Sequence, residues 1–389
     1  MEGQGTTAGM RGTQSFLSRL MAQGGRADVQ RAIAEFLAGR PVVLTDPGSA
    51  DVLAFPVDGV TAPMLAELRG LAPHGLQLVV SGTRAASLGC PGVAAGVIPL
   101  SASVHHAQLA ALAGEAGVAA ATTLVPGDRI AQAGIELTKL AHLLPAVLIA
   151  PVPGSEDDAV AIPALRVAAS DALAFRAGHA ASLRRVSSAR VPLRGAADCE
   201  IVVFRDDLGD AWTLIRVGQP DPDATVPVRL HSACLTGDAF ASLRCDCGDQ
   251  LEMAIASLVT LGGGILLYLT QEGCGIGLAN KMRAYRLQDQ GLDTIDANTT
   301  LGFEEDERSY EVAARMLAMV GVRRIALLTN NPAKVGGLRA SGIEVLERLP
   351  LLAPVRRGNR RYLETKQRRA GHLFGEASVL RLPEDGGHG

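Results

Sequence analysis

Lysine is almost missing from this 389-residue chain, which carries four against 33 arginines. The four, Lys139, Lys281, Lys334 and Lys366, therefore stand out as positions where arginine has not been used. Aromatic residues make up only 3%. No stripe of aromatic and basic residues offers a stacking surface for single-stranded nucleic acid. An excess of either charge is also lacking, with 37 basic against 40 acidic residues and a net charge of -3. That balance argues against a protein that coats nucleic acid or an anionic membrane. The longest apolar run, "LLPAVLIAPV" from Leu143, falls well short of the roughly 20 residues that span a bilayer. The opening "MEGQGTTAGMRGTQSFLSRL" has no continuous apolar core of a secretory signal. These absences predict a soluble, cytoplasmic protein without a membrane or nucleic-acid partner. Six cysteines are too few for a disulfide scaffold in so long a chain, and in a reducing compartment a tight cluster of them favours metal binding.

What is present suffices for real cores, since 48% of residues are hydrophobic, and the length suggests two or three domains. Residues 1–28 are rich in Gly, Thr and Gln and read as a mobile tail. A first domain over 29–190 alternates strand-like runs ("PVVLTD", "LQLVVSG", "AVLIAPV") with helical ones ("VQRAIAEFLAGR", "HAQLAALAGEAG", "GIELTKLAHLL"), an α/β pattern. "APVPGSEDDA" reads as a surface loop. A second domain over 191–378 opens with a hairpin, "EIVVFRDDLGDAWTLIRVG". It continues with a helix from Gln250 to about Leu261, a buried strand "GGGILLYLT", and a glycine loop entering a helix, "QEGCGIGLANKMRAYRLQDQG". A helix "SYEVAARMLAMVG", a strand "RRIALLTNN", a helix from Pro332 and a strand "IEVLERLPL" follow. Residues 379–389 read as a second disordered tail. The expected fold class is mixed α/β, two domains, the second a mixed sheet flanked by helices. There is no internal repeat.

Four segments carry chemistry. In "CLTGDAFASLRCDCGDQLE" three thiols, Cys234, Cys245 and Cys247, are spaced C-x10-C-x-C. Three ligands leave a tetrahedral zinc one position for water, whereas a structural site is closed by a fourth. His231 or Cys274 could supply that fourth ligand, and spacing alone leaves both readings open. In "EGCGIGLANK", Gly273, Gly275 and Gly277 could bring backbone N–H groups to a phosphate at a helix start, with Lys281 as an anion ligand. The loop matches neither the Walker nor the dinucleotide pattern, and a tight turn explains it equally well. In "LLTNNPAKV", Thr329 to Asn331 end a strand, where open α/β sheets bind ligands, and Lys334 opens the next helix. "GFEEDERSYE" reads by itself as an acidic helix start with a surface arginine.

Together, "RLHSACLTGDAFASLRCDCGDQLE", "LLYLTQEGCGIGLANKMRAYRLQDQGLDTIDAN", "LGFEEDERSY", "LLTNNPAKV" and "YLETKQRRAGHLF" resemble GTP cyclohydrolase II, in order and spacing, from about Ile201 to Phe374. The resemblance implies a catalytic zinc on Cys234, Cys245 and Cys247, whose water attacks C8 of guanine. The ring opens, and formate and pyrophosphate leave. The product implied is the diaminopyrimidine ribosyl phosphate that begins riboflavin synthesis. Arg308 matches the arginine thought to attack the α-phosphorus, Asp306 the acid–base residue beside it, and Tyr285 the tyrosine near the purine. Nucleotide contacts are implied for Arg229, Leu230, His231, Ser232, Ala233, Gln250, Glu272, Gly273, Cys274, Thr294, Thr329 and Lys334. Magnesium on the triphosphate and a homodimer are implied too.

Three positions depart from the family pattern. Residue 274 is Cys where the family usually has Arg, and Thr270 and Ala233 replace frequent Arg and Glu or Ser. Loss of a guanidinium contact costs on the order of 1.5–3 kcal/mol of binding. The alternative reading is therefore a divergent guanine-nucleotide-binding paralogue with reduced or incomplete activity. The first domain looks like a degenerate 3,4-dihydroxy-2-butanone 4-phosphate synthase. Its "TDPGSADVLAFPVD" holds too few carboxylates for that enzyme's magnesium, so no synthase activity is expected.

Overall fold

The computed structural model describes residues 24–72, 75–118, 123–152, 163–356, 358–369 and 371–373. The expected tail at 379–389, most of that at 1–28 and most of the "APVPGSEDDA" loop lie outside the described residues. The chain divides into two compact units, Met1–Phe175 and Arg176–Gly389. No helix among the described residues is long and apolar enough to cross a membrane.

The first unit contains α1 (Gly24–Leu37), β1 (Val42–Thr45), β2 (Val52–Pro56), α2 (Ala62–Leu71), β3 (Gln77–Ser81), α3 (Gly82–Ser87), β4 (Ala95–Pro99), α4 (His106–Gly114), β5 (Val125–Pro126), α5 (Arg129–Leu140), β6 (Ala146–Pro151) and β7 (Arg166–Ala168). Its sheet runs β5-β4-β3-β6-β2-β1-β7 and is antiparallel except between β1 and β7. The Asp128 carboxylate caps α5 by accepting the Ala131 N–H at 2.9 Å. Ile130, Ile135 and Leu137 of that helix are buried. The three carboxylates of the expected vestigial site are all engaged in local structure. Asp46 pairs with Arg129 at 3.5 Å, Asp51 pairs with Arg166, and Asp58 accepts the Leu144 N–H at 3.0 Å.

After the helix α6 (Ala169–His179), the second unit contains β8 (Arg184–Arg190), β9 (Cys199–Arg205), β10 (Ala211–Val217), β11 (Val226–Ser232), α7 (Leu235–Asp238), α8 (Cys247–Thr260), β12 (Gly264–Leu269), α9 (Leu278–Asp289), α10 (Thr294–Thr300), α11 (Glu311–Met319), β13 (Arg324–Leu328), α12 (Pro332–Ala340), β14 (Glu344–Leu349) and α13 (Arg360–Arg368). The division expected at 190 and the one observed after Phe175 differ by the segment holding β8, which pairs antiparallel with β9.

The second sheet is ordered β14-β13-β11-β12-β10-β9-β8. Its first four strands are mutually parallel, and the rest join as an antiparallel meander. Alternation along the strands separates two cores. Val202, Phe204, Leu214, Leu230, Ile265 and Leu267 pack with Val312, Met316 and Leu317 of α11. Val217, Leu266 and Leu328 pack with Ala254 and Leu258 of α8. A mixed sheet with helices on both faces is the fold class expected. The helix expected from Gln250 starts three residues earlier, so Cys247 occupies its first turn. Helices α10 and α13 were not anticipated as helices. The first is a short segment whose cap is Asp293, and the second is highly charged.

Trp212, the single tryptophan, is buried in the second unit's core and donates to Asp206 Oδ2 at 2.7 Å. Phe204→Ala is expected to remove about 3–5 kcal/mol from that unit, seen as a lower urea midpoint by Trp212 fluorescence. His179 faces Asp206 at 3.2 Å and Asp207 at 3.2 Å. Burial lowers the His179 pKa, but hydrogen bonds and charge from the two aspartates outweigh it and leave the value raised. The contribution of this group is full below the ordinary histidine pKa of about 6.5 and fades as pH rises through the raised folded value. The urea midpoint should therefore fall across that window in the parent and fall less in His179→Gln.

Candidate active site and metal centre

Parallel strands β11, β12 and β13 end side by side, and the segments following them line a cavity of about 300 Å³. This is the carboxyl end of the parallel half of the sheet, where open α/β folds place ligands. Ala233 and Cys234 follow β11, Gln271 to Gly275 follow β12, and Thr329 to Asn331 follow β13.

In the cavity lining the sulfurs of Cys234, Cys245 and Cys247 lie within 4.8 Å of one another, the first two 3.7 Å apart. Among the described residues this is the one cluster with metal-ligand geometry, and neither Cys274 nor His231 belongs to it. The turn of α7 makes the convergence possible through a missing side chain. A Cβ on Gly237 would lie 2.9 Å from Cys245 Sγ, 3.0 Å from Cys234 Sγ and 2.9 Å from Cys247 Cβ. A group of three soft thiols around a space of this kind fits zinc. Hydrogen bonds from the other two thiols hold the Cys234 pKa far below its ordinary range. Cys245 and Cys247 are held above theirs, chiefly because they donate to Cys234.

Asp238 secures this corner. Its carboxylate accepts the Cys234 N–H at 2.9 Å and the Tyr268 hydroxyl at 2.9 Å, and it faces His231 Nε2 at 3.0 Å. Tyr268 stacks on the His231 ring at 5.5 Å. Burial keeps the His231 pKa low despite the neighbouring carboxylate.

The glycine loop also permits a close backbone approach. A Cβ on Gly275 would meet the Glu307 backbone at 2.8 Å, so the glycine lets the segment carrying Asp306 and Arg308 approach. The Glu307 N–H completes the contact by donating to the Cys274 carbonyl at 3.1 Å. Cys274 itself adopts a left-handed backbone, φ 63°. Lys281 is not placed as a free anion ligand. Its Nζ donates to Cys234 Sγ at 3.0 Å, Thr236 Oγ1 at 3.0 Å and Glu272 Oε1 at 2.8 Å. The other Glu272 oxygen accepts the Leu235 N–H at 2.6 Å.

The same cavity also gathers cations. Arg229 is buried on β11, with Nη1 donating to the Leu328 carbonyl at 3.0 Å and Nη2 to Gln250 Oε1 at 2.5 Å. Its Nε is buried without a partner. Burial lowers the Arg229 pKa to about 10. Lys334 donates to the Leu230 carbonyl at 2.8 Å, and burial, then the charges of Arg229, Arg308 and Lys366, push its pKa well down. Arg308 grips Asp306 with two bonds, Nε–Oδ1 at 2.7 Å and Nη2–Oδ2 at 2.6 Å. Burial alone would raise the Asp306 pKa, but Arg308 outweighs it and holds the carboxylate ionised. Burial works against the Arg308 charge too, yet nearby Cys274 and Asp306 leave its pKa raised.

Comparison with known proteins agrees with this arrangement. The family model described as GTP cyclohydrolase II matches residues 184–350. A GTP cyclohydrolase-2 of Xylella fastidiosa (strain 9a5c) is 43% identical over 345 residues, covering 88% of this chain and 86% of its own. One from Azospirillum brasilense is 43% identical over 364 residues, covering 89% of this chain and 94% of its own. The chain belongs to the GTP cyclohydrolase II family. Among solved structures, a two-domain 3,4-dihydroxy-2-butanone 4-phosphate synthase from A. baumannii aligns over 84% of this chain and 99% of its own, at 18% identity and a TM-score of 0.30.

The structure brings into one cavity the residues that the sequence reading assigned to a common site. Every residue expected there lines the cavity except Leu230, whose side chain is in the core and whose carbonyl holds Lys334. Tyr285 lines the wall beneath the Arg244 guanidinium, 4.3 Å from its ring. Sequence reasoning missed Asn298, Tyr362, Lys366 and His372, which also line it. The scarcity of lysine and tyrosine was a usable signal for two of them. Lys366 bonds Asp246 at 3.2 Å across 120 residues, and burial lowers the His372 pKa to about 3, leaving a neutral ring. Gly237→Ala should cost most of the protein's bound metal, because its methyl group occupies the space between the sulfurs. Elemental analysis of the purified variant, with circular dichroism to confirm folding, checks this.

Proposed function

We propose that this enzyme is a zinc-dependent GTP cyclohydrolase II. It hydrolyses GTP to 2,5-diamino-6-hydroxy-4-(5-phosphoribosylamino)pyrimidine, formate and pyrophosphate, the first step of riboflavin synthesis. The observation carrying this reading is one cavity lined both by three converging thiols and by Arg229, Arg308, Lys334 and Lys366. The family relatives named above support it. A relative from rice (Oryza sativa subsp. japonica), 40% identical over 270 residues (66% of this chain, 49% of its own), is named a probable bifunctional riboflavin biosynthesis protein.

Cys234, Cys245 and Cys247 would hold the zinc, which supplies Lewis acidity and lowers the pKa of a water in its open position. The cationic residues bind the triphosphate together with its magnesium. Four mutually repelling cations are relieved by a polyanion, and the partnerless Arg229 Nε supplies a buried donor. Asp306 orients Arg308 through two parallel bonds towards the phosphates. The same carboxylate is the acceptor that a nucleophilic guanidinium would need. With its pKa raised, Arg308 is better suited to stabilising charge as pyrophosphate leaves. Tyr285 and Thr294 line the cavity and would position the purine. Cys274, outside the thiol cluster, leaves the fourth position open, so the less active paralogue is not favoured. The first unit serves as a scaffold without synthase chemistry, its three candidate carboxylates being tied to Arg129, Arg166 and Leu144.

Formate release from GTP should track zinc content, vanish in Cys245→Ser, and return when chelated protein is reloaded with zinc. Arg308→Ala should retain stoichiometric zinc while pyrophosphate release falls by about 10²–10³-fold. Turnover by zinc-free protein would overturn the reading.

A further inference from the structure

Lys281 is one of four lysines in a chain that otherwise uses arginine for positive charge, and it lies against the metal centre. Its position is tightly defined. Nζ reaches Cys234 Sγ at 3.0 Å, Thr236 Oγ1 at 3.0 Å and Glu272 Oε1 at 2.8 Å, so each of the three ammonium hydrogens has an acceptor. The backbone around it is built to admit the side chain. A Cβ on Gly273 would lie 3.1 Å from Lys281 Cβ. Glu272, which orients the ammonium, also accepts the Leu235 N–H at 2.6 Å, one residue beyond the first thiol. An arginine fork could not point three hydrogens at a sulfur, a hydroxyl and a carboxylate converging on one atom; a compact ammonium can.

We infer that Lys281 is a positioning residue for the metal centre: it donates a charge-assisted hydrogen bond to the Cys234 thiolate and sets the net charge of the three-sulfur site. The inference rests on the zinc reading above. A divalent ion with three thiolates carries one net negative charge, which weakens its Lewis acidity. A fixed ammonium on one sulfur balances that charge and draws electron density from the ligand. Lys281 thus acts through Cys234, and Glu272 acts through Lys281. This gives Glu272 a role at the metal corner, since both of its oxygens are engaged there.

The test compares Lys281→Met and Lys281→Gln with the parent, all zinc-loaded. Two quantities are read: the rate at which iodoacetamide carbamidomethylates Cys234, located by peptide mass spectrometry, and the steady-state constants for GTP. A sulfur that loses its charge-assisted donor becomes more nucleophilic, so alkylation should accelerate about tenfold. Outer-shell loss should lower kcat about 10- to 100-fold while KM stays within about twofold. Lys281→Arg, which keeps one donor, should fall between parent and Lys281→Met. If Lys281→Met does not fold, Lys281→Gln carries the same comparison. An unchanged alkylation rate overturns the inference, as does a raised KM with intact kcat, which would make Lys281 a nucleotide ligand. A parent protein that holds no zinc removes the reading beneath it, whereas a zinc-bearing parent with unchanged alkylation sinks this inference alone.

Discussion

Three thiols crowd together in the lining of one cavity, as do several cations, and the rest of the second unit is arranged to hold them there. Sulfurs repel sulfurs as they ionise, and buried guanidinium and ammonium groups repel each other. Neither crowd would be stable on a mobile loop. Here the floor is three adjacent parallel strands whose ends are fixed by a common hydrogen-bond ladder. Two buried cores hold that ladder from either face. The sulfur group is compacted by the missing side chain of Gly237, and the cation group by carbonyl groups of Leu230 and Leu328 that accept from Lys334 and Arg229. Burial weakens the charges of Arg229 and Lys334, whereas Cys274 and Asp306 more than offset it at Arg308.

Much of this was legible in the sequence, and the limits were physical. The hairpin around Asp206 to Asp210 and the strands ending at Leu269 and Leu328 follow from alternation and turn chemistry. The thiol spacing could suggest a metal but could not say whether a fourth ligand closes it. That depends on where Cys274 lies in space, and its left-handed backbone and contact with Glu307 were invisible in the string. Lys281 drew attention because lysine is scarce, yet the nearby glycines suggested a phosphate. Its actual partner, Cys234, is 47 residues away. Glu272 was assigned to the nucleotide through the resemblance alone, and its bonds to Lys281 and the Leu235 N–H were not legible in the string. Lys366 and His372 reach the cavity through a charged helix whose pattern shows no apolar face broad enough to announce it.

The first unit teaches the converse lesson. Its strands and helices were readable from periodicity, and its carboxylates were too few to suggest a metal. The structure adds how those few are engaged: Asp46 and Asp51 in ion pairs, and Asp58 on a backbone N–H. A sheet can persist while its former polar positions are absorbed into local stabilisation, and architecture then says little about activity.

Asn330 links the cavity floor to the end of the chain. Its side-chain amide donates to the Leu351 carbonyl at 2.6 Å and accepts the Leu351 N–H at 3.1 Å, while its own carbonyl accepts the Leu373 N–H at 2.8 Å. The wall formed by Tyr362, Lys366 and His372 is therefore fastened to the strand end that lines the cavity floor. Occupancy and C-terminal order become thermodynamically linked. A nucleotide that binds only the fastened state at a hundredfold excess over its Kd favours that state by about 2.7 kcal/mol. Saturation with substrate would then shield the carboxyl-terminal segment from proteases, and trimming that segment would weaken nucleotide binding from a distance.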